Sequence, residues 1–162
     1  MKKIFLVLFL LFSASYSNSL SLSKKDIVIL KKIRQLHDDT MMAYTLMALA
    51  IKESSIGKNM VNRRSKDYGL FQANIKTVLS REKMEDTPSN REYLANKLVN
   101  DISYATKNAI VELEYWLKVH KNDWFKAWAS YNTGWRYKGN TGLKYSEDIA
   151  VIVHTLRNEY YL

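Results

Sequence analysis

The 162-residue chain has no cysteine, a single proline, Pro88, and only three histidines, and its longest unbroken apolar run is Ile4 to Phe12. Without cysteine there is no disulfide framework and no thiol to carry a lipid anchor. His37, His120 and His154 fall on separate predicted helices without ligand spacing, so no metal is implied. Neither a phosphate-binding glycine loop nor a nucleophile elbow occurs, and no cofactor is expected. The apolar run is too short to span a bilayer, which takes roughly 20 residues. No stable membrane anchor is expected.

That run instead forms the middle of a leader. Lys2 and Lys3 precede it, and the small residues Ser13-Ala14-Ser15 and Ser17-Asn18-Ser19 follow. This is the layout of a signal peptide over 1–19, with cleavage somewhere in 15–19, and it predicts export to the periplasm or beyond the cell. The remaining 20–162 segment is the length of one domain with one core. The full chain carries +9, and loss of the two leader lysines leaves about +7. A basic exported domain is drawn to polyanions of any kind, whether cell-wall polymer, anionic lipid or nucleic acid. The densest basic set, Arg63-Arg64-Ser65-Lys66, comes with no recognised nucleic-acid motif, so it reads as a solvated surface and no nucleic-acid partner is expected.

Hydrophobic periodicity predicts a mainly α fold of six to seven helices. The first spans Lys24 to about His37, with Ile27, Leu30, Ile33 and Leu36 on one face. The second spans Thr40 to Ser54, is apolar nearly all round and so belongs in the core, and is stopped by Gly57. A polar loop or small hairpin is expected near 60–72. Short helices are predicted over 76–83 and 91–99, on either side of Pro88. A long one, capped by Asn100 or Asp101, runs to His120, and another runs from Asn122 or Asp123 to about Tyr131. The glycines at 134, 139 and 142 mark an extended loop before a last helix over 147–160.

Glu53 lies three residues after Ala50 and four after Leu49, beside the buried face at the C-terminal end of the second helix. Burial and the negative end of the helix dipole both disfavour its ionisation, which suits a general acid near neutral pH. A solvated glutamate beside Lys52 would be the bland alternative.

Four blocks occur in order: Glu53-Ser54; Gly69-Leu70-Phe71-Gln72; Ala127-Trp128-Ala129-Ser130-Tyr131-Asn132-Thr133-Gly134; and a late Tyr145. Together they resemble the soluble lytic transglycosylase domain, an α+β lysozyme-like family, across nearly all of 25–160. Similar blocks occur in the small transglycosylases of secretion and conjugation systems. The resemblance implies cleavage of peptidoglycan glycan strands between N-acetylmuramic acid and N-acetylglucosamine, with Glu53 as sole acid and base. Glu53 protonates the glycosidic oxygen, and its carboxylate then takes the proton of the sugar's own carbon-6 hydroxyl, leaving a 1,6-anhydro ring. The small size suggests local wall opening for a secretion, conjugation or flagellar machine.

The resemblance also implies supporting roles. Ser54 places the carboxylate; Gly69 supplies close approach or positive φ; Gln72 donates to a sugar acetamide or orients Glu53; Tyr131 and Asn132 border the saccharide; Tyr145 hydrogen-bonds Glu53. Read singly, these are a helix-end serine, a turn glycine, a surface glutamine, a core tyrosine and a helix cap. The family often has a glutamate four residues before the late tyrosine, where this chain has Thr141.

Asp67 opens a second possibility. Ser65-x-Asp67-Tyr68-Gly69-x-x-Gln72-x-Asn74 also resembles the block around the second carboxylate of animal-type lysozymes, which would make Asp67 a cation stabiliser or nucleophile and the reaction a hydrolysis. Its structural alternative is an Asx turn before Gly69. A non-catalytic glycan-binding or secretion-assembly protein on the same fold is the competing reading from another class.

Overall fold

The computed structural model describes residues 20–162, so the leader expected over 1–19 lies outside the described residues. Within them the order is α1 (Lys24–Arg34), α2 (Thr40–Ser54), β1 (Val61–Asn62), β2 (Asp67–Tyr68), β3 (Ala73–Asn74), α3 (Ile75–Arg81), α4 (Pro88–Asn100), α5 (Ile102–Val119), α6 (Trp124–Thr133), a 3-10 turn (Gly134–Arg136) and α7 (Asn140–Asn158). The fold is mainly α and lysozyme-like, with one small sheet. No helix among the described residues is long and apolar enough to cross a membrane.

Two hydrophobic clusters divide the molecule into a larger and a smaller lobe. The larger surrounds α2, whose Leu46, Met47, Ala48, Leu49 and Ala50 are all fully buried, so this helix has no solvent face over its central turns. Around it pack α1, α5, α6 and α7. Trp128 of α6 reaches into this core and donates its indole N–H to Thr45 Oγ1 at 3.3 Å, which satisfies both polar atoms away from water. The smaller cluster, Ile75, Val78, Leu79, Leu94 and Leu98, joins α3 to α4. The sheet lies between the two lobes.

That sheet is a three-stranded antiparallel meander, pairing Val61 with Tyr68, Asn62 with Asp67, Asp67 with Asn74 and Tyr68 with Ala73. Asn62 builds its first turn, accepting through Oδ1 from the N–H groups of Arg64 and Ser65. Gly69 leaves the second strand at φ +83°, where a Cβ would collide with the Leu98 carbonyl of α4. Its missing side chain therefore seats the sheet on the smaller lobe.

Several helix limits differ from the periodicity reading. α1 ends at Arg34 rather than His37. At the end of α2 the cap is Ser55, left-handed at φ 51°, followed by Ile56 at φ 58°, so the helix stops before Gly57. The turn carries Ile56 into the core at 6% exposure, and apolar burial offsets the backbone cost of two non-glycine residues at positive φ. Pro88 opens α4 at its first position, where it lacks only an N–H that has no helical partner, with Thr87 as N-cap. The largest difference is at the C-terminus. The expected extended loop contracts to a 3-10 turn and a short link, and α7 begins at Asn140, two turns early, with Gly142 inside it. A Cβ on Gly142 would stand 2.6 Å from the Tyr137 carbonyl, so this glycine serves close packing and not flexibility.

Candidate active site

The cleft between the lobes has a volume of about 310 Å³ and is lined by Glu53 of α2, Asp67 and Asn74 of the sheet, Arg81 of α3, Glu112 of α5 and Tyr131 of α6, with Gln72 and Asn132 at its edge. Each lobe thus contributes side chains that its own core holds in place.

Glu53 sits in the last turn of α2, with its carboxyl group largely withdrawn from water. Burial raises its pKa above the ordinary value of 4.5, and the negative charge of Asp67 raises it further. A hydrogen bond from Tyr145 opposes this, as does the charge of Lys52. The Tyr145 hydroxyl of α7 donates to Glu53 Oε1 from a side chain only 6% exposed. Burial and the neighbouring Glu53 charge hold the Tyr145 phenol well above 10, so it remains a neutral donor over the working pH range. Tyr131 is likewise raised, first by burial and then by Glu53, and donates to the Phe71 carbonyl at 3.0 Å, tying α6 to the loop after the sheet.

The other residues singled out from sequence take different places. Ser54 is fully buried but does not touch the carboxylate. Its hydroxyl donates to the Ala50 carbonyl at 3.2 Å and accepts from the Gly57 N–H at 3.0 Å, closing the end of α2 and so fixing where Glu53 emerges. Gly69 approaches α4 and not the cleft interior. The amide nitrogen of Gln72 donates to the carbonyls of Gly69, at 2.9 Å, and Asn59, at 3.2 Å. Both donors are thereby engaged, so Gln72 braces the loop at the cleft edge instead of orienting Glu53. Asn132 is an exposed residue of the last turn of α6, not its cap, which is Gly134. Asp67 is a strand residue rather than the head of an Asx turn. It faces the cleft and accepts from Asn74 Nδ2 at 2.8 Å.

Sequence reasoning missed an ion pair at the far end of the cleft. Arg81 donates to Glu112 Oε2 at 2.6 Å and to the carbonyl and Oδ1 of Asn108 at 3.2 and 2.9 Å, while Trp116 Nε1 donates to Glu112 Oε1 at 2.7 Å. Asn108 and Glu112 are four apart beside the apolar stripe of α5, a polar pair on an inward edge, and that spacing was a usable signal. Nothing local distinguishes Arg81. Among the described residues no three His, Asp or Glu side chains converge to hold a metal.

A helical, lysozyme-like domain built round one phenol-bonded glutamate in an inter-lobe cleft is the class these features define. The chain belongs to the Transglycosylase SLT domain family, whose model matches residues 33–150. It is also similar to an uncharacterized 20.7 kDa protein in the vs-regB intergenic region of Enterobacteria phage T4, at 34% identity over 127 residues. That match covers 75% of this chain and 66% of the phage protein, so the chain spans just under two thirds of its relative's length. No solved structure matches the chain.

Proposed function

We propose that the protein is a peptidoglycan lytic transglycosylase that acts after export, with Glu53 as both acid and base. The observation that carries this reading is the Glu53 carboxyl group, largely withdrawn from water and held by Tyr145 inside a cleft lined by polar side chains. Burial favours the protonated form of this carboxyl group, the form that donates to the glycosidic oxygen between N-acetylmuramic acid and N-acetylglucosamine. Once ionised, the carboxylate accepts the proton of the carbon-6 hydroxyl, which attacks carbon 1 of the same ring. One C–O bond breaks, another forms within the sugar, and no water is consumed. An attacker already attached needs no positioning from solution. Family membership favours this route, and a role in local wall opening for a secretion, conjugation or flagellar machine rests on the family resemblance and small size.

Hydrolysis is the second reading, supported by Asp67 facing the same cleft and acting electrostatically on Glu53. There Asp67 would stabilise the oxocarbenium ion or bond to it.

Product analysis separates the two. Digested sacculi should yield anhydromuropeptides, lighter by one water than hydrolytic products, and Glu53→Gln should lower the rate by about a hundred- to ten-thousandfold. Asp67→Asn should cost roughly tenfold, with only a small loss of stability, because the asparagine carbonyl still accepts from Asn74 without the charge. Reducible muramic ends together with a thousandfold loss in Asp67→Asn would instead establish a hydrolase. Sacculus binding without any soluble product, unchanged by Glu53→Gln, would leave a glycan-binding protein.

A further inference from the structure

The cleft does not end at the Arg81–Glu112 pair. A second depression of about 580 Å³ begins on its far side, sharing Thr77, Arg81 and Glu112 with the Glu53 cleft and continuing over Lys76, Ser80, Val111 and Tyr115. Val111 and Tyr115 are four apart on α5 and 43% and 48% exposed, so together they offer water an apolar strip along one side of the groove. α3 supplies the other side, with the hydroxyls of Thr77 and Ser80 and the ammonium of Lys76.

The aromatic ring has a firm base. Tyr115 meets Trp116 edge-on at 4.8 Å and 73°, and Trp116 is itself only 5% exposed and anchored by its indole N–H to Glu112. Through its other oxygen Glu112 neutralises Arg81. The threshold between cleft and groove therefore presents no unbalanced charge, and the hydroxyl and acetamide groups of a sugar can cross it without stripping water from a lone ion. A groove with an apolar ring on one side and hydroxyl and ammonium donors on the other fits a pyranose, whose C–H face is apolar and whose edge carries hydroxyl and acetamide groups.

We infer that this groove is a distal saccharide subsite, in which a sugar of the strand leaving the Glu53 cleft stacks on Tyr115 and is held at its edge by Thr77, Ser80 and Lys76. The inference rests on reading the Glu53 cleft as a glycan site, but its test does not need turnover. Peptide-free glycan oligomers of four, six and eight sugars would be titrated against the Glu53→Gln protein by calorimetry. Affinity should rise with length. Tyr115→Ala in that background should weaken binding of the longest oligomer roughly tenfold and leave the shortest unchanged, while Tyr115→Phe, which keeps the ring, should bind like the parent. An unshifted thermal midpoint for both variants shows that the fold is retained. Equal affinity of Tyr115→Ala for every length would overturn the subsite, as would a length effect that appears only when stem peptides are attached, or no binding at all. In the Glu53-intact protein Tyr115→Ala should raise KM on long strands with kcat unchanged. If that protein released no product while Tyr115-dependent binding persisted, the catalytic reading would fall and the subsite would stand.

Discussion

At the scale of single residues, Glu53 trades stability for a proton. Because burial raises its folded pKa above 4.5, the folded chain keeps this proton to higher pH than the unfolded chain does. The stability it contributes is complete below the unfolded value and is lost as pH rises through the folded one. Glutamine cannot ionise and still offers an oxygen to Tyr145. Glu53→Gln should therefore match the parent in urea unfolding near pH 4 and exceed it at neutral pH, a stabilised and inactive protein. A difference that shrinks as pH rises would contradict the assignment. Tyr145 acts in the opposite direction, since its hydrogen bond favours the carboxylate. Tyr145→Phe should raise the Glu53 pKa further and move the alkaline limb of the pH–rate profile upward, with kcat lowered about ten- to a hundredfold by the less fixed acid. An unmoved limb would show that the phenol does not tune Glu53.

At the scale of elements, the cleft depends on how closely two backbones approach their neighbours. Gly69 sets the sheet against α4, and Gly142 sets the first turn of α7 against the segment at Tyr137. Gly69→Ala combines a disfavoured φ with a backbone collision and should cost about 2–4 kcal/mol in urea unfolding. Gly142→Ala gains about 1 kcal/mol of helix propensity but meets the Tyr137 carbonyl, for a net loss of about 1–2 kcal/mol. Only Gly69→Ala should also raise KM, because the sheet carries Asp67 into the cleft while Tyr137 lines none of it. A Gly142→Ala protein more stable than the parent would mean that this packing relaxes freely.

At the scale of the whole molecule, the chain packs from its first described residues onward. The Tyr160 hydroxyl donates to the Leu20 carbonyl and accepts from the Leu22 N–H, tying the start of the described chain to its end. A protein comprising 20–162 should therefore unfold cooperatively with the same thermal midpoint as the 162-residue chain, measured by circular dichroism. A lower midpoint would show that residues before Leu20 contribute to the fold. The helices were legible because amphipathic periodicity and cap residues are local: Asp39, Asp101 and Asp123 each accept from the backbone at the start of their helix. Glu53 was legible for the same reason, as a carboxylate at the edge of a helix too apolar to lie anywhere but the core. Gly142 and Pro88 were misread because either residue can stop a helix or sit within one, and the choice depends on a distant partner or on the phase of the turn. The roles of Ser54 and Gln72, and the Arg81–Glu112 pair, were decided only by tertiary structure. A hydrogen bond between residues 31 apart, or the engagement of an amide by a carbonyl 13 residues away, leaves no periodic trace in the sequence. The sequence by itself determined which helices form and which acid is withdrawn from water. Folding decided what that acid touches, because contact between elements depends on how the lobes close around the cleft.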